Sequence, residues 1–230
     1  MAKSQIIKDL ANSEVDTQTA LKRTKVLLQE LENDELLQWI NYEIEGYPED
    51  VEVPKYREIN GQLYGSYTKG SMSYYREYKN VSLPSGNLSV EMKKEILTTK
   101  ITQGVQALKD MVSGADKGEN TRLAKPIPAD YYPYIAQANN DLYMMITIAR
   151  VELNMLQISD IFSKVENKLL DILIYLEKQF GNLDNLDIDI KSKSQKELKI
   201  ITNYIYVSIY SDKSITIGDN NKIKNSKISS

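Results

Sequence analysis

With no histidine and no cysteine in 230 residues, any chemistry in this chain has to run on Asp, Glu, Lys, Arg, Tyr or Ser. That excludes a Ser-His-Asp or Cys-His nucleophile. It also excludes a typical zinc site, whose ligands nearly always include His or Cys. Carboxylate chemistry remains, with or without a hard cation such as Mg²⁺. Glu43 is the carboxylate whose position needs a reason. It follows Ile40 by three residues and Leu36 by seven, on the edge of an apolar helical stripe beside Trp39, the only tryptophan. A carboxylate there is costly unless paired, and Arg57 enters the adjoining segment. Asn41 and Tyr56 stand nearby in sequence. The group reads in two ways: as a site that positions a ligand or metal, or as a structural ion pair locking a helix to a sheet. Glu43 reaching out to water is a variant of the second.

A second set of acids, Glu45, Glu49, Asp50 and Glu52, surrounds a loop. Its spacing is not that of an EF-hand, and a solvated acidic loop describes it better than a cation site. No metal ligand and no catalytic residue is assigned, and no cofactor is expected. There is no Gly-rich phosphate loop of Walker or Rossmann spacing. Lys22-Arg23 with Lys25, and Lys93-Lys94, read as ordinary charged helix faces. Tyrosine is over-represented, with 16 residues, five between Tyr64 and Tyr78 and four between Tyr131 and Tyr143. Clustered tyrosines on a sheet can stack bases or form a protein interface. They also fill half-buried strand faces for no other reason than propensity.

The elements that must position these residues follow from periodicity. Ala2–Leu10 predicts a short helix. Thr17–Leu31 predicts a stronger one, with Ala20, Leu21, Thr24, Leu27, Leu28 and Leu31 at three and four spacing. Asn33 caps a third helix over Asp34–Glu45, with Asp34 and Glu35 at its positive end. Gly46 ends it, and Pro48 and Pro54 forbid more helix. The period then changes to two, predicting a hairpin with Gly70 in its turn. Ser89 caps a helix to about Thr98, and Thr102–Val112 is another, ended by Gly114. Leu123–Pro128 is extended and Ala129–Ala138 a weak helix. Leu142–Leu153 predicts a buried strand, with helix as the alternative. Ser159–Phe180 is the longest helix, with Ile158, Phe162, Val165, Leu169, Ile172, Leu173, Leu176 and Phe180 in its stripe and Gly181 at its end.

Three residue sets carry a resemblance. A helix ending W-I-N-x-E-x-x-G-Y (Trp39, Asn41, Glu43, Gly46, Tyr47), then P-x-Y-R (Pro54, Tyr56, Arg57), then the Gly61-bearing strand, resembles the AbiTii-type abortive-infection family. A late strand followed by a long helix, of the type found at Tyr143–Phe180, extends the similarity over Met1 to Leu186. The resemblance implies a role in bacterial anti-phage defence. It implies no particular reaction.

The C-terminus changes character. Residues 187–198 read as an Asp/Lys-rich linker, and residues 199–230 as a β-rich tail. Within it, Ile215, Ile217, Ile223 and Ile228 recur as single apolar residues in a polar background. The pattern I-x-I-G-D-N-N-x-I-x-N-S-x-I resembles the short β-solenoid tails of several bacterial conflict-system proteins. One or two such rungs bury too little surface to stand alone, so they must pair with the domain or with copies of themselves.

Hydrophobic content of 41% and charged content of 27% place the chain among globular proteins. A net charge of −3 argues against broad nucleic-acid binding, though not against a local patch. No apolar run of about 18 residues is present, so no membrane association is expected, and a bacterial cytoplasm is the simplest location. The expected fold is α+β: N-terminal helices, a small mixed sheet with a hairpin, a long C-terminal helix, then a β-rich tail. The expected function is an oligomerising sensor or interaction module in anti-phage defence, partnered by copies of itself and by a defence protein or phage component. The rivals are a carboxylate- and Mg²⁺-dependent nuclease toxin, and a nucleic-acid sensor built on the tyrosine sheet.

Overall fold

The computed structural model describes residues 3–71, 73–116, 123–141 and 143–210. Three helices open the chain: α1 (Gln5–Ala11), α2 (Thr17–Gln29) and α3 (Asp34–Glu45). Their starts are set by side chains. Asp16 accepts a hydrogen bond from the Thr19 amide and Asn33 one from the Leu36 amide, each at 3.0 Å. Such caps satisfy amides that the first helical turn leaves without partners. The long helix α7 (Met155–Phe180) starts at Asn154, which accepts from the Leu156 amide, and stops at Gly181. Its buried stripe is Ile158, Ile161, Val165, Leu169, Ile172, Leu173 and Leu176. Phe162, expected in that stripe, is only partly covered. α7 packs on α1, α2 and α5 (Val105–Asp116), so the helices share one large core around it. α5 begins later than its periodicity predicts, because Thr102 and Gln103 are drawn into pairing with the end of α3. Gly114, expected as its stop, lies inside the helix.

The C-terminal expectation is corrected. Residues Lys199–Tyr210 are not β-rich; they belong to helix α8, Gln195–Tyr210. Ile201, Ile205 and Ile209 fall four apart, are buried, and dock on α7 and α3. Tyr204 stacks on Tyr175 of α7 with ring centroids 3.8 Å apart. The start is fixed by a reciprocal cap: the Ser194 amide and hydroxyl donate to Glu197, and the Glu197 amide donates back to Ser194 Oγ. The linker expected at residues 187–198 is corrected with it. Ile188 just before α8, like Leu183, is buried in the same core, so the stretch is an anchored connection containing a 3₁₀ turn, Ile190–Ser192. Ile215, Ile217, Ile223 and Ile228 lie outside the described residues.

Two antiparallel sheets insert between α3 and α7. β1 (Glu58–Asn60) pairs with β4 (Thr98–Lys100), which directly follows α4 (Val90–Leu97). β2 (Gln62–Ser71), β3 (Tyr74–Ser82), β5 (Ala124–Pro126) and β6 (Met145–Glu152) form the larger sheet in the order β3-β2-β6-β5. The predicted hairpin is present, but Gly70 lies in the ladder opposite Tyr75, and Ser71 after it still pairs with Tyr74. β6 is a strand as predicted, yet it is buried on one face only. Ala149 and Val151 point into a second core with Leu63, Leu83 and Ile135 of α6 (Tyr132–Ala138), while Met145 and Ile148 face outward. Gly61, at the β1–β2 junction, is held by space. A Cβ there would sit 2.5 Å from the Glu152 carbonyl and inside the radius of Val151 Cγ1. Gly61→Ala is therefore expected to cost about 1–3 kcal/mol by forcing β2 from β6. An unchanged urea midpoint would contradict this.

The first helix is tied to the far end of α7. Buried Ser4 donates from its amide and its hydroxyl to Glu177 Oε1, both at 2.6 Å, and accepts from the Leu183 amide at 2.9 Å. Lys3 donates to Glu177 Oε2 at 2.6 Å. Partial burial alone would raise the Glu177 carboxyl, but the bonds from Lys3 and Ser4 outweigh it and bring the pKa to about 2. An unfolded glutamate titrates near about 4.3. The anchor therefore contributes stability above that value, and the contribution is lost as pH falls from about 4.3 towards about 2. Amide exchange in α1 should accelerate over that window, and Glu177→Gln should reduce the pH dependence, leaving the share of Asp184, which accepts from the Gln5 amide and is also held below its usual range. Equal protection at both ends of the window would refute it.

Candidate functional site

α3 places Trp39 and Glu43 one above the other, four residues apart on its inward face. Both are fully buried. Gly46, at φ +111°, ends the helix and lets the chain turn so that Tyr47 returns beneath it. Pro54 then leads into a 3₁₀ turn, Lys55–Arg57, whose last two residues point inward. Three side chains from these two segments meet at one carboxylate. Glu43 Oε1 accepts from the Tyr47 hydroxyl at 2.7 Å, the Tyr56 hydroxyl at 2.7 Å and Arg57 Nε at 3.0 Å. Glu43 Oε2 accepts from Arg57 Nη2 at 2.5 Å. Trp39 Nε1 donates to the Tyr56 hydroxyl at 2.9 Å.

Arg57 extends the network to the main chain. Its Nη1 donates to the Ile101 carbonyl at 3.0 Å and the Gln103 carbonyl at 2.7 Å. This ties α3 and the 3₁₀ turn to the connection between β4 and α5. That connection is also held directly: the Tyr47 amide donates to the Thr102 carbonyl at 2.7 Å, and Gly46 bridges to Gln103. Gly104 makes the approach possible, since a Cβ there would collide with the Ile44 carbonyl. The guanidinium carbon of Arg57 lies 5.0 Å from the centre of the Tyr47 ring, a cation–π contact. On the other side Lys168 of α7 places its ammonium 5.2 Å from the centre of the Tyr56 ring and donates to the Ser208 carbonyl of α8 at 2.8 Å. Five elements converge here.

The electrostatics follow from burial. Desolvation and the Glu43 carboxylate push the Tyr56 hydroxyl well above its usual range, and the Tyr47 hydroxyl likewise. For Arg57 burial opposes the charge, but the carboxylate, its hydrogen bonds and the two tyrosines together raise its pKa. Two charges taken from water cost several kcal/mol each. The fork-to-fork geometry and the four hydrogen bonds that Glu43 accepts make the burial tolerable. A carboxylate so enclosed, with no exposed surface of its own, has no open path to a substrate. The arrangement holds elements together.

Trp39, Glu43, Tyr47, Tyr56 and Arg57 thus come together, with Gly46 and Pro54 shaping the backbone between them. Gly61 stands apart, against β6. Asn41 is half-buried on the same helix, and its Oδ1 accepts no hydrogen bond among the described residues. Lys168 was legible only as one cation on the polar side of α7, and the carbonyls of Ile101 and Gln103 carry no side-chain signal at all. Among the described residues no three carboxylates are grouped so as to hold a cation. No helix among the described residues is long and apolar enough to cross a membrane.

One family model, described as AbiTii, matches residues 4–203. The match runs through α8 as far as Asn203, past the boundary that the sequence similarity implied. No curated protein and no solved structure matches the chain.

Proposed function

Since the chain belongs to the AbiTii family, we propose that it serves abortive infection, the bacterial anti-phage defence, as an oligomerising sensor or interaction module rather than through chemistry of its own. The observation that carries this reading is the fully buried, hydrogen-bonded Glu43–Arg57 network. Trp39, Glu43, Tyr47, Tyr56 and Arg57, among the residues that carry the resemblance, are spent on architecture: they lock α3, the 3₁₀ turn and the β4–α5 connection to α7 and, through Lys168, to α8. A family signature used for rigidity leaves function to the surfaces that the rigid body presents. The isoleucines at 215, 217, 223 and 228 supply the assembly element, bundling tails from several copies at about 1.5–3 kcal/mol per buried side chain. A second protein, from the host or the phage, supplies the trigger.

The test pairs infection with biochemistry. Cells making the wild-type chain should survive phage challenge as a population. Cells making a chain with those four isoleucines changed to serine should lose protection while the purified protein keeps its melting temperature. Pure wild-type protein should leave DNA, RNA and nucleotides intact with and without Mg²⁺. Cleavage that disappears on substituting one acidic residue would overturn the proposal in favour of a toxin enzyme.

A further inference from the structure

The larger sheet has one covered face and one open face. Its inner side packs on α6 and the loop around Leu83 and Leu88. The register assigns the other side. Tyr75 lies opposite Gly70, Glu77 opposite Thr68, and Thr68 opposite Met145, while Ile148 lies opposite Ser66. Side chains directly across a ladder share a face. Small residues of β2 (Ser66, Thr68 and Gly70) therefore form the floor of a shallow trough. Tyr75 stands on one side of it, with Met145 and Ile148 on the other. These three are 64%, 70% and 52% exposed. An antiparallel sheet open to water on one side is expected to carry polar residues there. Three large apolar side chains around a floor of small ones depart from that pattern, and exposed apolar patches are a common feature of interaction sites.

The same face carries its charges in neutral pairs. Lys79 bonds Glu77 at 3.2 Å, and Arg150 bonds Glu152 at 2.6 Å. A nucleic-acid surface needs an excess of cations over its acids, and these four side chains have none. A surface of balanced, alternating charge around an apolar centre is complementary to itself. The sheet edges point the same way by elimination. β3, a nine-residue edge strand, carries Arg76, Glu77 and Lys79 and is bent by a bulge at Asn80, which sits at φ +51° and donates from its amide to Ser66 Oγ at 3.0 Å. β5 has three residues and includes Pro126. Charges, bulges, short length and proline are the devices that stop edge-to-edge growth. With both edges blunted, association falls to the face.

We propose that the open face of the β3-β2-β6 sheet is a self-association surface, on which a second copy of this chain packs face to face. The partner's Tyr75 enters the trough between Tyr75 on one side and Met145 and Ile148 on the other, and the two copies' charge pairs meet around that centre. Aligned sheets pack about 10 Å apart with their strands crossing at roughly 30°, and a two-fold axis through the trough satisfies both copies equally. This contact is independent of the tail isoleucines invoked above. A chain with both contacts would build an assembly larger than either contact gives alone.

The test is sedimentation equilibrium on the full chain, wild type against Ile148→Glu, Met145→Glu and a chain with Ile215, Ile217, Ile223 and Ile228 all changed to serine. Both glutamate substitutions lie at exposed positions, so circular dichroism should be unchanged, and Ile148→Leu controls for the site itself. The expected result is a wild-type mass above the monomer, with self-association weakened at least about tenfold by either glutamate, a loss of about 1.4 kcal/mol, and retained by Ile148→Leu. A wild type that stays monomeric overturns the inference. So does an assembly that ignores both glutamates and collapses only in the serine-tail chain, which would leave the tail reading standing. Dissociation by Ile148→Glu with an intact response to the tail changes would instead separate the two contacts and support both.

Discussion

Glu43→Ala should destabilise the fold by about 3–5 kcal/mol, more than its own removed contacts account for. The reason is what it leaves behind. Arg57 would remain charged and fully buried with only two carbonyls to bond, and the hydroxyls of Tyr47 and Tyr56 would lose their acceptor. Arg57→Ala should cost about as much by the mirror argument: a buried carboxylate with two phenols, and two orphaned main-chain carbonyls. Arg57→Lys should not rescue it, because a single ammonium cannot fork to both carboxylate oxygens and reach Ile101 and Gln103 as well. Changing both members together, Glu43→Ala with Arg57→Ala, should cost about 2 kcal/mol or more below the sum of the single losses. It should not return to wild type, since the tyrosine hydroxyls and the two carbonyls stay unpaired. Urea unfolding of the four proteins closes the cycle. Simple additivity would show that the two charges do not depend on each other.

How much of this was legible in the sequence depends on what each residue uses to speak. The limits of α3 are visible because a cap, acids and a glycine mark them, and the structure keeps Asp34–Glu45 to the residue. The Glu43–Arg57 pair is visible because a carboxylate on an apolar stripe is an anomaly that needs a partner. α8 is the instructive failure. Its composition, Ile-Ile-Thr-Asn-Tyr-Ile-Tyr-Val, favours a strand by propensity. Yet Ser194-Gln195-Lys196-Glu197 is a capping box, and Ile201, Ile205 and Ile209 repeat every four residues, which is a helical period. Periodicity and the cap prevailed because burying one face on α7 and α3 outweighs the few tenths of a kcal/mol per residue that β-branching costs a helix. Main-chain acceptors such as Ile101 and Gln103 were illegible in principle. Any residue type offers the same carbonyl, so only the fold can say which ones face a guanidinium. The one-sided burial of β6 was hidden for a different reason. A run of apolar residues looks the same whether both faces are covered by the chain or one awaits another molecule.

Trp39→Ala should cost about 3–5 kcal/mol, the range for removing a large buried aromatic. Trp39 is fully buried, shares the main core with Tyr56, Leu108 and the α7 stripe, and donates its indole N–H to the Tyr56 hydroxyl. The substitution therefore does two things: it opens a cavity in the core and removes a donor from the oxygen that supports Glu43. Trp39→Phe separates them. It keeps most of the apolar volume and loses the N–H, so its cost should fall to about 1–2 kcal/mol, near the value of one buried hydrogen bond. The difference between the two variants is then the packing share. Because the chain holds a single tryptophan, its fluorescence reports this site alone. Native emission should be shifted to short wavelength and move to the solvent-exposed value in step with urea unfolding. The Glu43→Ala protein should show the shift already begun before the main transition, since loosening the carboxylate frees Tyr56 and lets water towards the indole. Native emission at the fully exposed wavelength would contradict the burial. A Trp39→Phe protein as unstable as Trp39→Ala would place the whole effect on the hydrogen bond and not on the core.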